Sequence, residues 1–165
     1  RFAFQGSSDG AVVHYLKLPV PQAGAGRFSD SLPGEFVLRA GEASRLKIPV
    51  EILGDVTVEC AISIELLRIG IGWEIAILTD YMPVADRRGK YEIVFDIPEV
   101  PLAPGKYSLN LFLSQRPDGE GTPRTNLDVR SWTYGNGLAL TVEGGSSTAA
   151  VILPFTARQI GAEVA

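Results

Sequence analysis

Two stretches in which large apolar residues recur at every second position, 91–97 and 107–113, most constrain the fold of this chain. A period of two is typical of a β-strand that buries one face. Three prolines, Pro98, Pro101 and Pro104, separate the stretches, and proline cannot donate to a strand ladder. We therefore expect an extended crossover in which the chain leaves one sheet of a sandwich and enters the other. The two apolar faces consist of Tyr91, Ile93, Phe95 and Ile97, and of Tyr107, Leu109, Leu111 and Leu113.

Turn-forming residues favour many short strands over long helices. The chain has 165 residues with 18 Gly and 11 Pro, and 45% of its residues are hydrophobic. The sequence predicts an all-β antiparallel sandwich, immunoglobulin-like or jelly-roll, with about nine strands. Residues 1–145 are assigned to this domain and residues 146–165 to a C-terminal tail. The predicted strands are Ala11–Leu18, Glu35–Arg39, Ser44–Leu53, Val56–Leu66, Trp73–Tyr81, Lys90–Ile97, Lys106–Gln115, Gly137–Val142 and the tail segment Ala149–Phe155.

Composition also bounds the chemistry. The formal net charge is −4 and the pI is about 5.0, which argues against a nucleic-acid partner. His14 is the single histidine, so a multi-histidine metal site cannot form, and its alternating context indicates a plain strand residue. Cys60 is the single cysteine and shares a face with Ile62 and Ile64, which predicts a buried, inert thiol. We expect neither catalysis nor a cofactor in this domain, although counting acidic residues does not exclude a glycosidase.

Several segments, taken in order, resemble one protein family. They are Gly6–Val13, Arg39–Glu42 ahead of Leu46–Val50, Ile62–Thr79, Tyr91–Leu113 with its Leu102-x-Pro104-Gly105-x-Tyr107 motif, and Leu138–Glu143. Their order and spacing resemble the C-terminal carbohydrate-binding domain of the Wzt-type ATPase subunit of bacterial O-antigen polysaccharide ABC transporters. Two stretches depart from the family pattern: Ile69-Gly70-Ile71-Gly72 stands where an Asp-Gly turn is common, and the loop Arg116–Arg124 is long.

The resemblance implies a function without catalysis. Such a domain binds the O-antigen polysaccharide through its non-reducing terminus and so selects cargo for export. It is joined covalently to an upstream ATPase domain and lies in the cytoplasm, at the inner face of the bacterial inner membrane. It forms a homodimer and needs no cofactor of its own. The absence of a Met before Arg1 fits a piece of a longer protein.

A glycan site needs aromatic faces together with hydrogen-bonding side chains. The polar face of the central strands is one candidate, through Ser108 and Asn110, with Ser63, Glu65 and Ser114 beside them. Phe112 interrupts this face and is either a stacking platform or a residue tucked under a loop. The alternative for the whole set is a solvated outer sheet.

A second candidate group follows along the chain. Arg130, Trp132 and Tyr134 alternate, which predicts one strand face with two aromatic rings and a guanidinium for an acidic or phosphorylated terminus. The alternative is a core tryptophan with edge residues. Arg124, with Asn126, is a further candidate in the preceding loop. The remaining aromatic candidates are Trp73, which we expect in the core, and Tyr81, which could line a rim.

The apolar sequence of the C-terminal tail predicts a dimer contact. The apolar segment Ala149–Phe155 follows a Gly144–Thr148 linker and needs a sheet edge to pair with, and Pro154 suits an edge strand. It can fold back on its own sheet or cross to a neighbour, and the family resemblance favours strand exchange in a two-fold dimer.

Two other functions compete with glycan export. One is a protein-interaction sandwich with no sugar site, and the other is an accessory carbohydrate-binding module of a secreted glycoside hydrolase. The sequence preceding Arg1 would separate them, because an upstream Walker ATPase favours export and a signal peptide with a catalytic domain favours the module.

Overall fold

The computed structural model of this chain describes residues 24–68, 72–116, 119, 124–144 and 156–161. These residues form eleven β-strands and one short 3₁₀ helix. The strands are β1 (Gly26–Phe28), β2 (Glu35–Arg39), β3 (Ser44–Ile52), β4 (Val58–Arg68), β5 (Gly72–Leu78), β6 (Met82–Ala85), β7 (Gly89–Ile97), β8 (Gly105–Gln115), β9 (Thr125–Arg130), β10 (Leu138–Glu143) and β11 (Thr156–Gly161). The all-β sandwich predicted from the sequence is confirmed. In the described part of the chain we find no helix long and apolar enough to cross a membrane.

The strands divide into two sheets. The first is four-stranded, in the order β1-β3-β7-β11, and its pairs are antiparallel. The second is seven-stranded, in the order β2-β10-β8-β4-β5, with β6 added to β4 and β9 added to β8. The long strands β4 and β8 lie side by side at its centre.

One pair corrects the expectation of a purely antiparallel sandwich. β2 and β10 run parallel, with Leu140 opposite Phe36. A period of two reports which residues share a face, but it carries no information on the direction of the neighbouring strand. The direction of this pair therefore depends on the path of the chain between residues far apart in sequence.

The predicted crossover is confirmed. β7 belongs to the four-stranded sheet and β8 to the seven-stranded sheet, so residues 98–104 carry the chain from one layer to the other. Both apolar faces that the alternation predicted point into the core between the sheets. The largest fully buried side chains are Phe28, Phe95, Leu46, Ile48, Ile52, Ile62, Ile64, Leu109, Leu111, Leu113, Leu140 and Val50.

Most of the predicted strand boundaries agree closely with the structure. β2 has the predicted bounds, β3, β7 and β8 differ from prediction by one residue at one end, and β10 differs by one residue at each end. β4 lies two residues further along the chain than predicted, and β5 begins one residue earlier and ends three residues earlier. β1, β6, β9 and β11 were not predicted, and all four are only three to six residues long at the margins of the sheets. Two predicted strands, Ala11–Leu18 with His14 and the tail segment Ala149–Phe155, lie outside the described residues.

Two strands begin in the same way. Gly89-Lys90-Tyr91 opens β7 and Gly105-Lys106-Tyr107 opens β8. The Tyr91 hydroxyl donates to the Arg87 carbonyl at 3.0 Å, and the Tyr107 hydroxyl donates to the Ala103 carbonyl at 2.7 Å. Each tyrosine thus fixes the approach to its strand through the carbonyl four residues earlier, as tyrosine corners do in sandwich domains.

Candidate functional site

The outer face of the seven-stranded sheet carries most of the polar candidates. β4 and β8 place their outward residues in rows: Glu59 lies opposite Ser114, and Ser63 lies opposite Asn110. Because the inward residues of both strands fill the core, these rows lie on the far side of the sheet, as the alternation predicted.

Burial corrects the expectation that this face is open at its centre. Ser108 and Asn110 are each only 1% exposed. The Ser108 hydroxyl donates to Asn110 Oδ1 at 3.1 Å, and Asn110 Nδ2 donates to Ser63 Oγ at 3.1 Å. Ser63 in turn donates to Glu65 Oε1 at 3.3 Å. The polar groups therefore satisfy one another, and Ser108 and Asn110 are not presented to solvent.

Phe112 lies in the next row of the same face. It is partly buried and pairs with Ala61 on one side and Val129 on the other, both of which are fully covered. A stacking role for Phe112 stays a prediction.

The row beyond Phe112 holds a cluster of charged groups. Glu59 is 3% exposed, and its Oε2 accepts from Arg124 Nε at 3.2 Å and from Arg124 Nη2 at 2.8 Å. Arg116 Nε lies 3.2 Å from Oε1 of the same carboxylate. The Arg124 guanidinium also lies 4.2 Å from the centre of the Tyr81 ring. We call Glu59, Arg116, Arg124 and Tyr81 the Glu59 cluster.

The elements around the Glu59 cluster explain its assembly. Glu59 projects from β4, Arg116 directly follows β8, Arg124 directly precedes β9, and Tyr81 precedes β6. β6 pairs with the first residues of β4, β9 pairs with the last residues of β8, and these two strand ends lie opposite each other, so the four segments meet at one corner of the sheet. Arg124 was predicted as a candidate and Tyr81 as a rim residue, whereas Glu59 and Arg116 were missed.

The expected strand face of Arg130, Trp132 and Tyr134 does not form. β9 ends at Arg130, and Trp132–Tyr134 is a single 3₁₀ turn. Asn136 stabilises this turn, because its Oδ1 accepts from the Ser131 amide at 3.0 Å and its Nδ2 donates to the Val129 carbonyl at 2.8 Å. Gly135, with a φ of 74°, closes the turn in a conformation that suits glycine.

Arg130 has a structural partner. Its Nη2 donates to Asp128 Oδ2 at 3.3 Å, and the same oxygen accepts from the Phe28 amide at 2.9 Å. Arg130 Nε is buried and has no hydrogen-bond partner in the described part of the chain. Arg130 and Asp128 thus help to join β9 to β1 across the two sheets.

Trp132 is 50% exposed, so the alternative that it is a core tryptophan is wrong. A Cβ added at Gly137 would lie 2.5 Å from Cγ of the Trp132 ring. The indole therefore packs directly against the glycine backbone while half of its surface faces solvent. Tyr134, in the same turn, is of intermediate burial. The predicted core position of Trp73 concerns a side chain outside the described residues.

Cys60 behaves as predicted. It is fully buried beside the apolar residues of β4, and burial raises the pKa of its thiol to about 12. Among the residues that the structure describes, no three His, Cys, Asp or Glu side chains come together as a metal site would need.

Comparison with known proteins gives an informative likeness in fold. No family model matches the sequence, and no curated protein matches it. A solved structure described as the crystal structure of the C-terminal domain of wzt superposes with a TM-score of 0.52 at 19% identity, covering 74% of this chain and 75% of that one. This chain has the fold of that domain. The resemblance seen in the sequence motifs is therefore confirmed at the level of the fold.

A second solved structure is more distant. It is the ASH/PapD-like domain 7 of human CEP192, with a TM-score of 0.42 and 11% identity over 80% of this chain and 93% of that one. This likeness is too low to carry an argument about function.

Proposed function

We propose that this domain binds O-antigen polysaccharide without catalysis, through the non-reducing terminus, and so selects cargo for export by an ABC transporter. The observation that carries the proposal is the agreement between the sequence motifs and the fold. The ordered sequence motifs resemble the Wzt-type C-terminal domain, and the fold is similar to that of the wzt C-terminal domain.

The context of the domain follows from the same proposal. It is joined to an upstream ATPase domain, works in the cytoplasm at the inner face of the bacterial inner membrane, forms a homodimer and uses no cofactor of its own. Binding energy must then come from side-chain surfaces alone. Half-exposed Trp132 supplies an aromatic surface, and the Glu59 cluster supplies guanidinium donors beside the Tyr81 ring.

Two polysaccharides test the function. The purified domain is incubated with O-polysaccharide from its own source and from an unrelated serotype, and binding is measured by calorimetry. We expect binding of the first, at least about tenfold weaker binding of the second, and no new reducing ends in either. Cleavage of either polymer, or equal binding of both, contradicts a selective and non-enzymatic binding domain.

Trp132→Ala tests the aromatic part of the site. Loss of a stacked ring should weaken polysaccharide binding by about 1–3 kcal/mol, a scale borrowed from base stacking on aromatic side chains. Stability should change little, because half of the ring already faces solvent. Val37→Ala is the matched control, since Val37 is 57% exposed on β2, and it should leave binding unchanged. A loss of about 3–5 kcal/mol of unfolding free energy in Trp132→Ala would instead assign the ring to packing.

A further inference from the structure

The Glu59 cluster holds more positive than negative charge in one fixed place. Two guanidinium groups, from Arg116 and Arg124, share the single carboxylate of Glu59. We propose that these two arginines bind an anionic group, a carboxylate or a phosphate, carried by a saccharide ligand. That the arginines bind an anion is inferred from the geometry, whereas that a saccharide carries this anion rests on the proposed function.

Unused hydrogen-bond donors support the proposal. An arginine has five N–H donors and no acceptor. In the described part of the chain, Arg124 engages through Nε and Nη2 and Arg116 through Nε. Nη1 of Arg124 and both Nη atoms of Arg116 therefore have no protein partner there. The side chains are 40% and 58% exposed, so these donors can meet a ligand from solvent.

The cluster is held in place before any ligand arrives. Glu59 is buried in β4 opposite Ser114, so its carboxylate is fixed by the central strands of the sheet. Arg124 is held on two sides, by its two hydrogen bonds to Glu59 and by the Tyr81 ring. The N–H groups of a guanidinium lie in one plane, and stacking on a ring leaves the edge of that plane free. A carboxylate or a phosphate can accept two parallel hydrogen bonds there. Such preorganisation lowers the entropy cost of binding.

The neighbouring row gives the attached sugar a surface. Phe112 lies two residues from Ser114 on the same face of β8, which separates the rows by about 7 Å. Phe112 is partly exposed to solvent. A sugar ring whose anionic group contacts the arginines thus has an aromatic side chain within reach.

The other sheet contains a matched comparison. Arg27 donates to Glu51 Oε2 through Nε at 2.9 Å and through Nη2 at 2.6 Å, and Lys90 Nζ lies 3.5 Å from Glu51 Oε1. Arg27 is 41% exposed, almost the same as Arg124. Among the described residues, however, no aromatic ring stacks on Arg27, and the second cation is a lysine that is 72% exposed. Arg27→Gln therefore removes an equivalent ion pair without touching the proposed site.

Three monosaccharide probes test the inference. Glucose 6-phosphate, glucuronate and glucose are titrated into the full chain at low ionic strength, and binding is followed by NMR chemical shifts. We expect at least one anionic probe to bind about tenfold more tightly than glucose. Preference between glucose 6-phosphate and glucuronate identifies the group as phosphate or carboxylate. Arg124→Gln and Arg116→Gln should each weaken anion binding by about tenfold, whereas Arg27→Gln should not.

Three outcomes would overturn the inference. The first is equal binding of glucose and both anions, the second is unchanged anion binding in Arg124→Gln and Arg116→Gln, and the third is an equal loss in Arg27→Gln. If Arg124→Gln does not fold, Arg116→Gln decides, because Arg116 is the more exposed of the two.

The same variants separate this inference from the proposed function. Polysaccharide binding that persists undiminished in both arginine variants contradicts the anion site and leaves the function intact. Anion binding that depends on both arginines in a protein that binds no polysaccharide supports the anion site and contradicts the function.

Discussion

At the scale of residues, polar side chains on a sheet face can be structural rather than available for binding. Asn110 joins Ser108 to Ser63 in a hydrogen-bonded chain whose members are at most 2% exposed. Removing one side chain from such a buried chain lowers the free energy of unfolding by more than the net contribution of the hydrogen bond. The reason is that the remaining polar group stays buried without a partner.

Asn110→Ala should therefore lower the free energy of unfolding by about 1–3 kcal/mol, since it leaves the Ser108 hydroxyl buried and unpaired. Thr141→Ala is the control, because the Thr141 hydroxyl bonds Glu35 in an exposed pair, and it should change stability by less than about 0.5 kcal/mol. Urea denaturation measures both. If Asn110→Ala is as stable as the parent yet binds polysaccharide poorly, the residue belongs to a binding site as the sequence suggested.

Cys60 gives a second prediction at this scale. Its folded pKa is raised to about 12, whereas an unfolded thiol has a pKa of about 8.5. Above about pH 8.5 the unfolded state releases the proton and the folded state keeps it, so stability falls as pH rises. The slope approaches about 1.4 kcal/mol per pH unit between the two pKa values.

Denaturation of the parent and Cys60→Ala at pH 8, 9 and 10 tests this pH dependence. The small cavity in Cys60→Ala shifts its stability equally at every pH, so the difference between the two proteins should shrink as pH rises. A constant difference would mean that the folded thiol ionises as readily as the unfolded one.

At the scale of elements, the two Gly-Lys-Tyr starts anchor the segments that lead into β7 and β8. Tyr107 anchors the last part of the link through the Ala103 carbonyl, and Tyr91 anchors the turn before β7 through the Arg87 carbonyl. The Tyr107 bond is shorter and partly buried, whereas the Tyr91 bond is exposed. Water can replace an exposed hydrogen bond, so the two anchors should differ in strength.

Tyr107→Phe should lower the free energy of unfolding by about 0.5–1.5 kcal/mol, because it removes only the hydroxyl that holds the Ala103 carbonyl. Tyr91→Phe is the internal control and should cost less. Chemical denaturation of both variants decides the order. An equal loss, or a larger loss in Tyr91→Phe, would mean that burial does not set the strength of these anchors.

At the scale of the whole molecule, the C-terminal segment completes a sheet. β11 pairs antiparallel with β7, with Gln159 opposite Ile93, and so covers the edge of the four-stranded sheet. An uncovered edge offers unpaired backbone groups to other chains. Exchange of this segment with a neighbouring chain is our proposal for the homodimer.

Truncation after Gly145 tests the exchange. We expect the full chain to be a dimer and the truncated chain a monomer of lower stability by light scattering and thermal denaturation. Truncation after Gly161 is the control, because it keeps β11 and should leave the dimer intact. A dimer that persists with unchanged stability after truncation at Gly145 would place the interface elsewhere.

The sequence by itself determined the long strands, their buried faces and the change of sheet between β7 and β8. Alternation is local, and each apolar residue has only one side of a strand on which to lie. Short strands such as β1 and β6 carry too few residues for a period to be recognised. The Arg130–Tyr134 stretch has the spacing of a strand, but the hydrogen bonds of Asn136 stabilise a 3₁₀ turn there instead.

Only the tertiary structure decided which polar groups meet. Glu59, Tyr81, Arg116 and Arg124 come from four separate segments, and only the pairing of β6 and β8 with β4, and of β9 with β8, brings them together. The same holds for Ser108 and Asn110, whose burial depends on what covers the sheet. Periodicity assigns a residue to a face, whereas exposure and contacts across strands depend on chain segments that are distant in sequence and meet only when the fold is complete.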